Sequence, residues 1–93
     1  MKIKNKNVPK VTLILIRNGK RTFLYPSLRK TQNFIRNKAK HYFKNGYLIK
    51  IRVRYGYGID AFGKRVMFEN AGTYNSVGDL KWAYQAFVKE YME

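Results

Sequence analysis

The 93-residue chain contains no cysteine and a single histidine, His41. Disulfides and thiolate zinc sites are therefore excluded, and one imidazole cannot by itself build a metal cluster or a catalytic triad. No apolar stretch approaches the roughly 18 residues that a membrane span needs, and no signal-peptide pattern follows Met1. We therefore expect a cytoplasmic protein with no cofactor, no metal site and no membrane contact.

Acidic residues are also scarce, and all five lie after residue 59: Asp60, Glu69, Asp79, Glu90 and Glu93. Residues 1–59 carry sixteen of the twenty lysines and arginines, so the net charge of +15 comes from the first two thirds of the chain. This asymmetry is typical of proteins that bind nucleic acid, an anionic membrane or an acidic protein. The acids are few and scattered, so we expect them to act as caps and in salt bridges, and we expect no enzymatic activity.

Length and composition predict one folded domain with a small core, because 45% of the residues are apolar and 16% are aromatic. Residues 1–10 are basic and lack apolar periodicity, which predicts a flexible N-terminal arm closed by Pro9. Two apolar runs then flank Asn18-Gly19, the strongest short-range signal for a type I′ hairpin. The predicted strands cover residues 11–16, 21–25, 47–55 and 64–70, and the predicted helices cover 28–44 and 77–91.

This order of elements predicts an α+β fold of ββαββα type for residues 11–93, with a four-stranded antiparallel sheet that carries both helices on one face. The halves 11–46 and 47–93 share Gly-Lys-Arg at the hairpin turn and a serine near the helix start, which favours an internal ββα duplication. Ser76 with Asp79 forms a variant of the capping box at the last helix. Residues 55–63 read as a glycine-rich loop, and residues 71–75 read as a turn or a short extension.

The stretch YLIKIRVRY, residues 47–55, alternates between apolar and polar positions. Because successive side chains leave opposite faces of a strand, one face is apolar and the other is cationic. The cationic positions are Lys50, Arg52 and Arg54. Side chains on one strand face repeat about every 6.5–7 Å, close to the roughly 6–7 Å between consecutive phosphates of a nucleic-acid strand. The strand therefore predicts an anion-binding face.

The first predicted helix carries a second cationic surface. At 100° per residue, six polar residues fall within roughly 100° of one another on a different face from the apolar positions; they are Arg29, Asn33, Arg36, Asn37, Lys40 and Lys44. We expect this stripe and the strand cations to form one continuous footprint. Tyr55 and Tyr57 flank glycines in the predicted loop, and they are the best candidates for stacking on unpaired bases.

The second half of the chain, residues 47–93, resembles the arm-type DNA-binding domain of phage and transposon integrases, related in fold to the plant ethylene-response-factor domain. The resemblance rests on YLIKIRVRYG, FGKRVMFEN and GTYNSVGDLKWAYQAF. It implies a three-stranded sheet with one helix, and a sheet that lies in the major groove of DNA. The DNA-facing strand positions of that family correspond to Lys50, Arg52, Arg54, Lys64 and Arg65. The loop after Tyr55 is longer than in the family, its third strand is not obvious, and no catalytic integrase domain is present.

Three functional hypotheses follow from these patterns. The first is a non-enzymatic protein that binds duplex DNA through the basic sheet face and the basic helix stripe. The second is a small phage or mobile-element protein, similar to an anti-CRISPR protein, whose basic surface inhibits a host defence nuclease or ribonucleoprotein complex in the host cytoplasm. The third is an RNA-binding protein that uses exposed tyrosines for stacking.

Overall fold

The computed structural model describes residues 5–92, and it describes the side chains of residues 9–89. Within that range, four strands and three helices follow one another along the chain. They are β1 (Asn5–Arg17), β2 (Lys20–Leu24), α1 (Leu28–Asn37), α2 (Ala39–Lys44), β3 (Leu48–Ile59), β4 (Arg65–Tyr74) and α3 (Val77–Met92).

The strands form one antiparallel sheet in the order β2-β1-β3-β4. Alternate residues of the two central strands face the helices and form the core together with apolar side chains of all three helices. Ile14, on the other face of β1, is also buried. The strand members are Val11, Leu13, Leu15, Ile49, Ile51 and Val53, and the helix members are Phe34, Ile35, Ala39, Leu80, Tyr84 and Val88. The helices therefore pack on one face of the sheet, and the predicted α+β architecture is confirmed.

The hairpin between β1 and β2 has the predicted turn. Asn18 and Gly19 both have positive φ, 51° and 75°, as the two central residues of a type I′ turn require. Arg17 pairs with Lys20 directly across this turn, so the register of the two strands is set by the two-residue loop. Asparagine tolerates the left-handed region better than most residues, which explains its place before the glycine.

Serine side chains cap the first and last helices. Ser27 Oγ accepts a hydrogen bond from the backbone N–H of Lys30 at 3.2 Å, and Ser76 Oγ accepts one from Asp79 N at 3.3 Å. Each bond satisfies one of the backbone donors that a helix start leaves without an intrahelical partner. The predicted start of the last helix is confirmed, and Asp79 lies in its first turn, where a negative charge is favourable.

The prediction of one continuous helix over residues 28–44 is wrong in one respect, because the helix breaks at Lys38 into α1 and α2. Lys38 has φ −120° and ψ −29°, outside the helical range, although its N–H still donates to Phe34 O at 2.8 Å. In an unbroken helix, Phe34 and Phe43 would point in opposite directions, since nine residues at 100° each amount to half a turn beyond two full turns. The break lets both phenylalanines pack against the core.

Residues 5–10 of the predicted N-terminal arm lie in a strand, because β1 begins at Asn5. Asn5 and Lys6 pair with β3, and the register shifts between Lys6 and Lys10. Pro9 lies inside this irregular stretch, where its missing N–H costs no regular ladder hydrogen bond. Residues 1–4 of the predicted arm lie outside the described residues. The ββα duplication stays a prediction.

The glycine-rich loop predicted for residues 55–63 is also wrong, because β3 continues to Ile59. The β3–β4 register shifts between Arg54 and Gly56, which leaves Tyr55 as the extra residue of a β-bulge. Gly56 has φ 140°, a backbone conformation that is unfavourable for residues other than glycine. Glycine therefore serves here to continue the strand past a bulge. For residues 71–75, where the sequence allows a turn or a short extension, the structure has the extension, because β4 runs on to Tyr74.

We expect Tyr84 to make stability fall at high pH. Its ring is buried, its hydroxyl donates to Leu28 O at 3.0 Å, and burial raises its pKa above the ordinary value of 10.0. Above about pH 10 the unfolded chain releases a proton that the folded protein retains, so the free energy of unfolding decreases as the pH rises. In Tyr84→Phe the contribution of residue 84 to this pH dependence should vanish. At neutral pH the free energy of unfolding of the variant should be lower by about 1 kcal/mol, because the hydrogen bond to Leu28 O is lost.

Urea unfolding of the two proteins at about pH 8 and pH 11 measures both effects. Every other tyrosine is common to the two proteins, so the difference between their pH dependences belongs to position 84. An equal loss of stability at high pH in the wild type and the variant would contradict this role for Tyr84.

Candidate nucleic-acid interface

The sheet has one face covered by the helices and one that no described helix covers, which we call the open face. On β3, Ile49, Ile51 and Val53 are fully buried beneath the helices. The intervening residues Lys50 and Arg52 leave the strand on the opposite side and are half-buried, so their aliphatic stems lie on the sheet.

The strand register brings further cations onto the open face. In antiparallel pairs, residues directly opposite share a face. Lys10 lies opposite Arg54, Arg21 lies opposite Ile16, and Arg65 shares its face with Glu69 four residues further along β4. The described cations of this face are Lys10, Arg21, Lys50, Arg52, Arg54 and Arg65, against one described acid, Glu69. We call these six residues the cationic face.

Arg54 is the one member of the cationic face that has an ion-pair partner among the described residues. Its Nε donates to Glu69 Oε2 at 3.2 Å across the β3–β4 ladder. Both side chains are more than 40% exposed, so the pair contributes at most about 1 kcal/mol to stability. Its main effect is electrostatic, because the Glu69 carboxylate neutralises the charge of Arg54. The sequence pattern alone does not indicate an acid beside this arginine.

Arg52 is the central cation of this face and has a polar atom without a partner. It pairs with Thr12 on one side and Ala71 on the other, and neither neighbour is an acid. Its Nε is buried and makes no hydrogen bond within the described part of the chain. A buried donor that lacks a partner is unfavourable.

The helix cations do not join this surface. In α1, Thr31, Phe34 and Ile35 face the core, whereas Arg29 and Arg36 lie about 160° around the helix from the middle of that buried side. They are exposed, as are Lys40 and Lys44 of α2. Because the helices lie on the covered side of the sheet, their outward cations and the cationic face point in opposite directions. The single continuous footprint expected from the sequence is therefore wrong.

Tyr55 has a structural role in the fold. Its hydroxyl donates to Phe87 O and accepts a hydrogen bond from Asn70 Nδ2 at 2.7 Å, and its ring packs against the core. The bulge at this position turns the side chain toward α3. Of the two tyrosines expected to stack on bases, Tyr55 is thus not presented for that contact.

Tyr57 lies on the open face, where the Arg65 guanidinium carbon lies 3.8 Å from the centre of its ring. This distance is typical of a cation–π contact, which keeps the guanidinium over the ring. Arg65 and Tyr57 therefore form one cation–π pair near the end of the β3–β4 ribbon. Lys64 is exposed in the turn that follows Ile59.

The turn at residues 60–64 is built around Asp60. Its carboxylate oxygen Oδ1 accepts hydrogen bonds from the backbone N–H groups of Phe62 and Lys64, at 2.8 and 2.9 Å. The expectation that acids act as caps and in salt bridges is confirmed for Asp60 and for Glu69. The turn leaves the Phe62 ring 87% exposed at the tip of the ribbon.

Several residues of the open face cannot be identified from the sequence pattern, because only the pairing of the strands places them there. Lys10 stands in the predicted arm, and Arg21 stands in a strand without clear alternation. The Asn18-Gly19 turn could have identified Arg21, because a two-residue loop fixes residue 21 opposite residue 16. The same register places Phe23, 46% exposed, beside Ile14 on the open face.

Comparison with protein-family models, with curated proteins and with solved structures gives no match for this chain. The resemblance to the integrase arm-type domain therefore stays a prediction. Among the described residues no group of three or more acids, histidines or cysteines is arranged to hold a metal ion. No described helix is long and apolar enough to cross a membrane.

Replacing Tyr55 with phenylalanine should destabilise the protein by about 1–2 kcal/mol, since the change removes the hydroxyl that connects Phe87 O and Asn70. Tyr57→Phe is the matched control, because the Tyr57 hydroxyl makes no hydrogen bond to any described residue. Thermal unfolding monitored by circular dichroism compares the two variants. Equal melting temperatures for both variants would contradict the structural role given to Tyr55.

Proposed function

We propose that the protein is a non-enzymatic nucleic-acid-binding protein that contacts duplex DNA through its cationic face. The observation that supports this proposal most is the position of Lys50 and Arg52. Both lie in the middle of the open face and have no acidic partner among the described residues. Folding requires their strand to be apolar on one side only, so it does not explain a cationic other side.

The spacing of the cations suits a phosphate backbone. Lys50, Arg52 and Arg54 occupy successive positions on one strand face and are separated by about 6.5–7 Å, similar to the interval between phosphates. Lys10 extends the same surface sideways onto β1, about 5 Å from Arg54. Arginine and lysine at such positions neutralise phosphates and release counterions, which is the main source of affinity for duplex DNA.

The far end of the β3–β4 hairpin suits a groove. A two-stranded ribbon fits the major groove of B-form DNA, which is about 12 Å wide. Arg65 lies on this ribbon with its guanidinium supported by Tyr57, and Lys64 follows in the turn. A planar guanidinium that is already oriented loses little entropy on bonding to a phosphate or a guanine edge.

A second candidate is single-stranded nucleic acid, including RNA. The observation in its favour is the exposed ring of Phe23, which lies in one row of the open face with Ile14 and Lys50. An aromatic side chain beside a cation is the usual platform for an unpaired base. Phe23→Ala should weaken single-strand binding, and it should leave duplex binding unchanged if DNA contacts only the cations.

Two charge-matched double variants test the proposal. Lys50→Ala/Arg52→Ala removes two cations from the cationic face, and Arg29→Ala/Arg36→Ala removes two from the outer side of α1. In the first variant the slope of log affinity against log salt should become shallower by about 1.8, since each lost phosphate contact on duplex DNA contributes about 0.9. The second variant should have nearly the wild-type slope. Fluorescence anisotropy of a labelled duplex at several salt concentrations measures both.

Competing functions predict different outcomes in the same assay. Equal loss in both variants would contradict the sheet face as the binding surface, and a flat salt response of the wild type would contradict nucleic-acid binding altogether. Preference for a single strand or for RNA would favour the second candidate. If the wild type binds no nucleic acid but retains a nuclease or ribonucleoprotein complex after nuclease treatment, the inhibitor hypothesis replaces the proposal.

A further inference from the structure

β4 is a long edge strand whose outer side has no pairing partner within residues 5–92. It has ten residues, it pairs with β3 on one side only, and no described backbone hydrogen bond reaches its other side. Proteins usually protect such edges with proline, with lysine or by keeping the strand short. The opposite edge follows that rule, because β2 has five residues and begins with Lys20 and Arg21. β4 contains no proline and no lysine.

The first half of β4 is complementary to itself. Residues 65–69 read Arg-Val-Met-Phe-Glu. When two copies of this segment run antiparallel with Met67 opposite Met67, each Arg65 faces the Glu69 of the other copy. Each Val66 then faces Phe68. Opposite charges and apolar pairs directly across a ladder stabilise an antiparallel pairing.

The side-chain directions support this register. Arg65, Met67 and Glu69 lie on the open face, since Glu69 bonds Arg54 and Arg65 covers Tyr57 there. Met67 is 51% exposed, and pairing would bury it between two ion pairs. Glu69 would then lie between Arg54 of its own chain and Arg65 of the other copy.

Among the registers that are centred within residues 65–69 and keep the open faces on the same side, the others match poorly. Centring the pair on Arg65 or on Glu69 places like charges opposite each other, which is destabilising. Centring it on Val66 or Phe68 places Met67 opposite a charged residue. The register centred on Met67 is the one that matches both charges.

We infer that two copies of this chain associate through antiparallel pairing of their β4 strands. The product is a continuous eight-stranded sheet with twofold symmetry, and the two cationic faces lie side by side on the same surface. The inference rests on the edge strand and its charges, and it holds whether or not the protein binds nucleic acid.

Long-range repulsion opposes this dimer, because each chain carries a net charge of +15. The local ion pairs form at contact distance, whereas the net charges act over the screening length. Salt shortens that length from about 10 Å at 0.1 M to about 3 Å at 1 M. The dimer should therefore strengthen as salt rises, in contrast to nucleic-acid binding, which salt weakens.

A charge-swap experiment tests the register. Sedimentation equilibrium is measured in about 0.5 M salt, where the screening length is about 4 Å. The wild type should dimerise, and Arg65→Glu and Glu69→Arg should each raise the dimer Kd about tenfold or more, because each places like charges opposite one another. An equimolar mixture of the two variants should recover a heterodimer, since every position 65 then faces an opposite charge at position 69.

Three controls keep the result decisive. Arg29→Glu makes the same charge change on α1 and should leave the dimer intact. Met67→Lys retains both ion-pair residues and should break the dimer by opposing two ammonium groups, so the test does not depend on the loss of the Arg54–Glu69 bond. Circular dichroism checks that each variant is folded. A wild type that stays monomeric, single variants that still dimerise, or a mixture that fails to associate would each overturn the inference.

Discussion

Burial of one face of the two central strands is the constraint on which the rest of the structure depends. β1 and β3 contribute six fully or almost fully buried aliphatic side chains to the core, and all three helices pack on them. Since neighbouring residues of a strand leave opposite faces, covering Ile49 and Ile51 forces Lys50 and Arg52 to the other side. Folding thus explains where these cations lie, but not why that side has so little acid.

The same constraint separates two basic surfaces that look continuous in the sequence. Arg29 and Arg36 are amphipathic counterparts of the buried Phe34 and Ile35, so they must point away from the sheet. The core lies between them and the cationic face. A rigid partner that binds the open face of the sheet is therefore not expected to contact the outer side of α1 as well.

Much of the fold could be predicted from local patterns, because those patterns act over a few residues. The period-two alternation of residues 47–55, the Asn18-Gly19 turn and the cap at Ser76 each depend on neighbours along the chain. The candidate cations of β3 could be predicted for the same reason. Their direction relative to the helices follows from which side is apolar.

The remaining features depend on contacts between distant residues, which a local pattern does not contain. Glu69 neutralises Arg54 from 15 residues away, and the bulge after Arg54 turns Tyr55 to meet Phe87, which lies 32 residues further on. The break at Lys38 arises because aromatic residues on two sides of one helix must reach the same core. Glycines in β3 mimic a loop signal, although the bulge uses one of them inside a strand.

We propose that the open face of the sheet meets the anionic partner. An NMR titration of the labelled protein with duplex DNA, which follows the Nε–H resonances of its arginines, tests this proposal. We expect the largest shift for Arg52, which lies on the central strand of the cationic face, with little change at Arg29 and Arg36. Shifts confined to those helix arginines, with Arg52 unmoved, would contradict it.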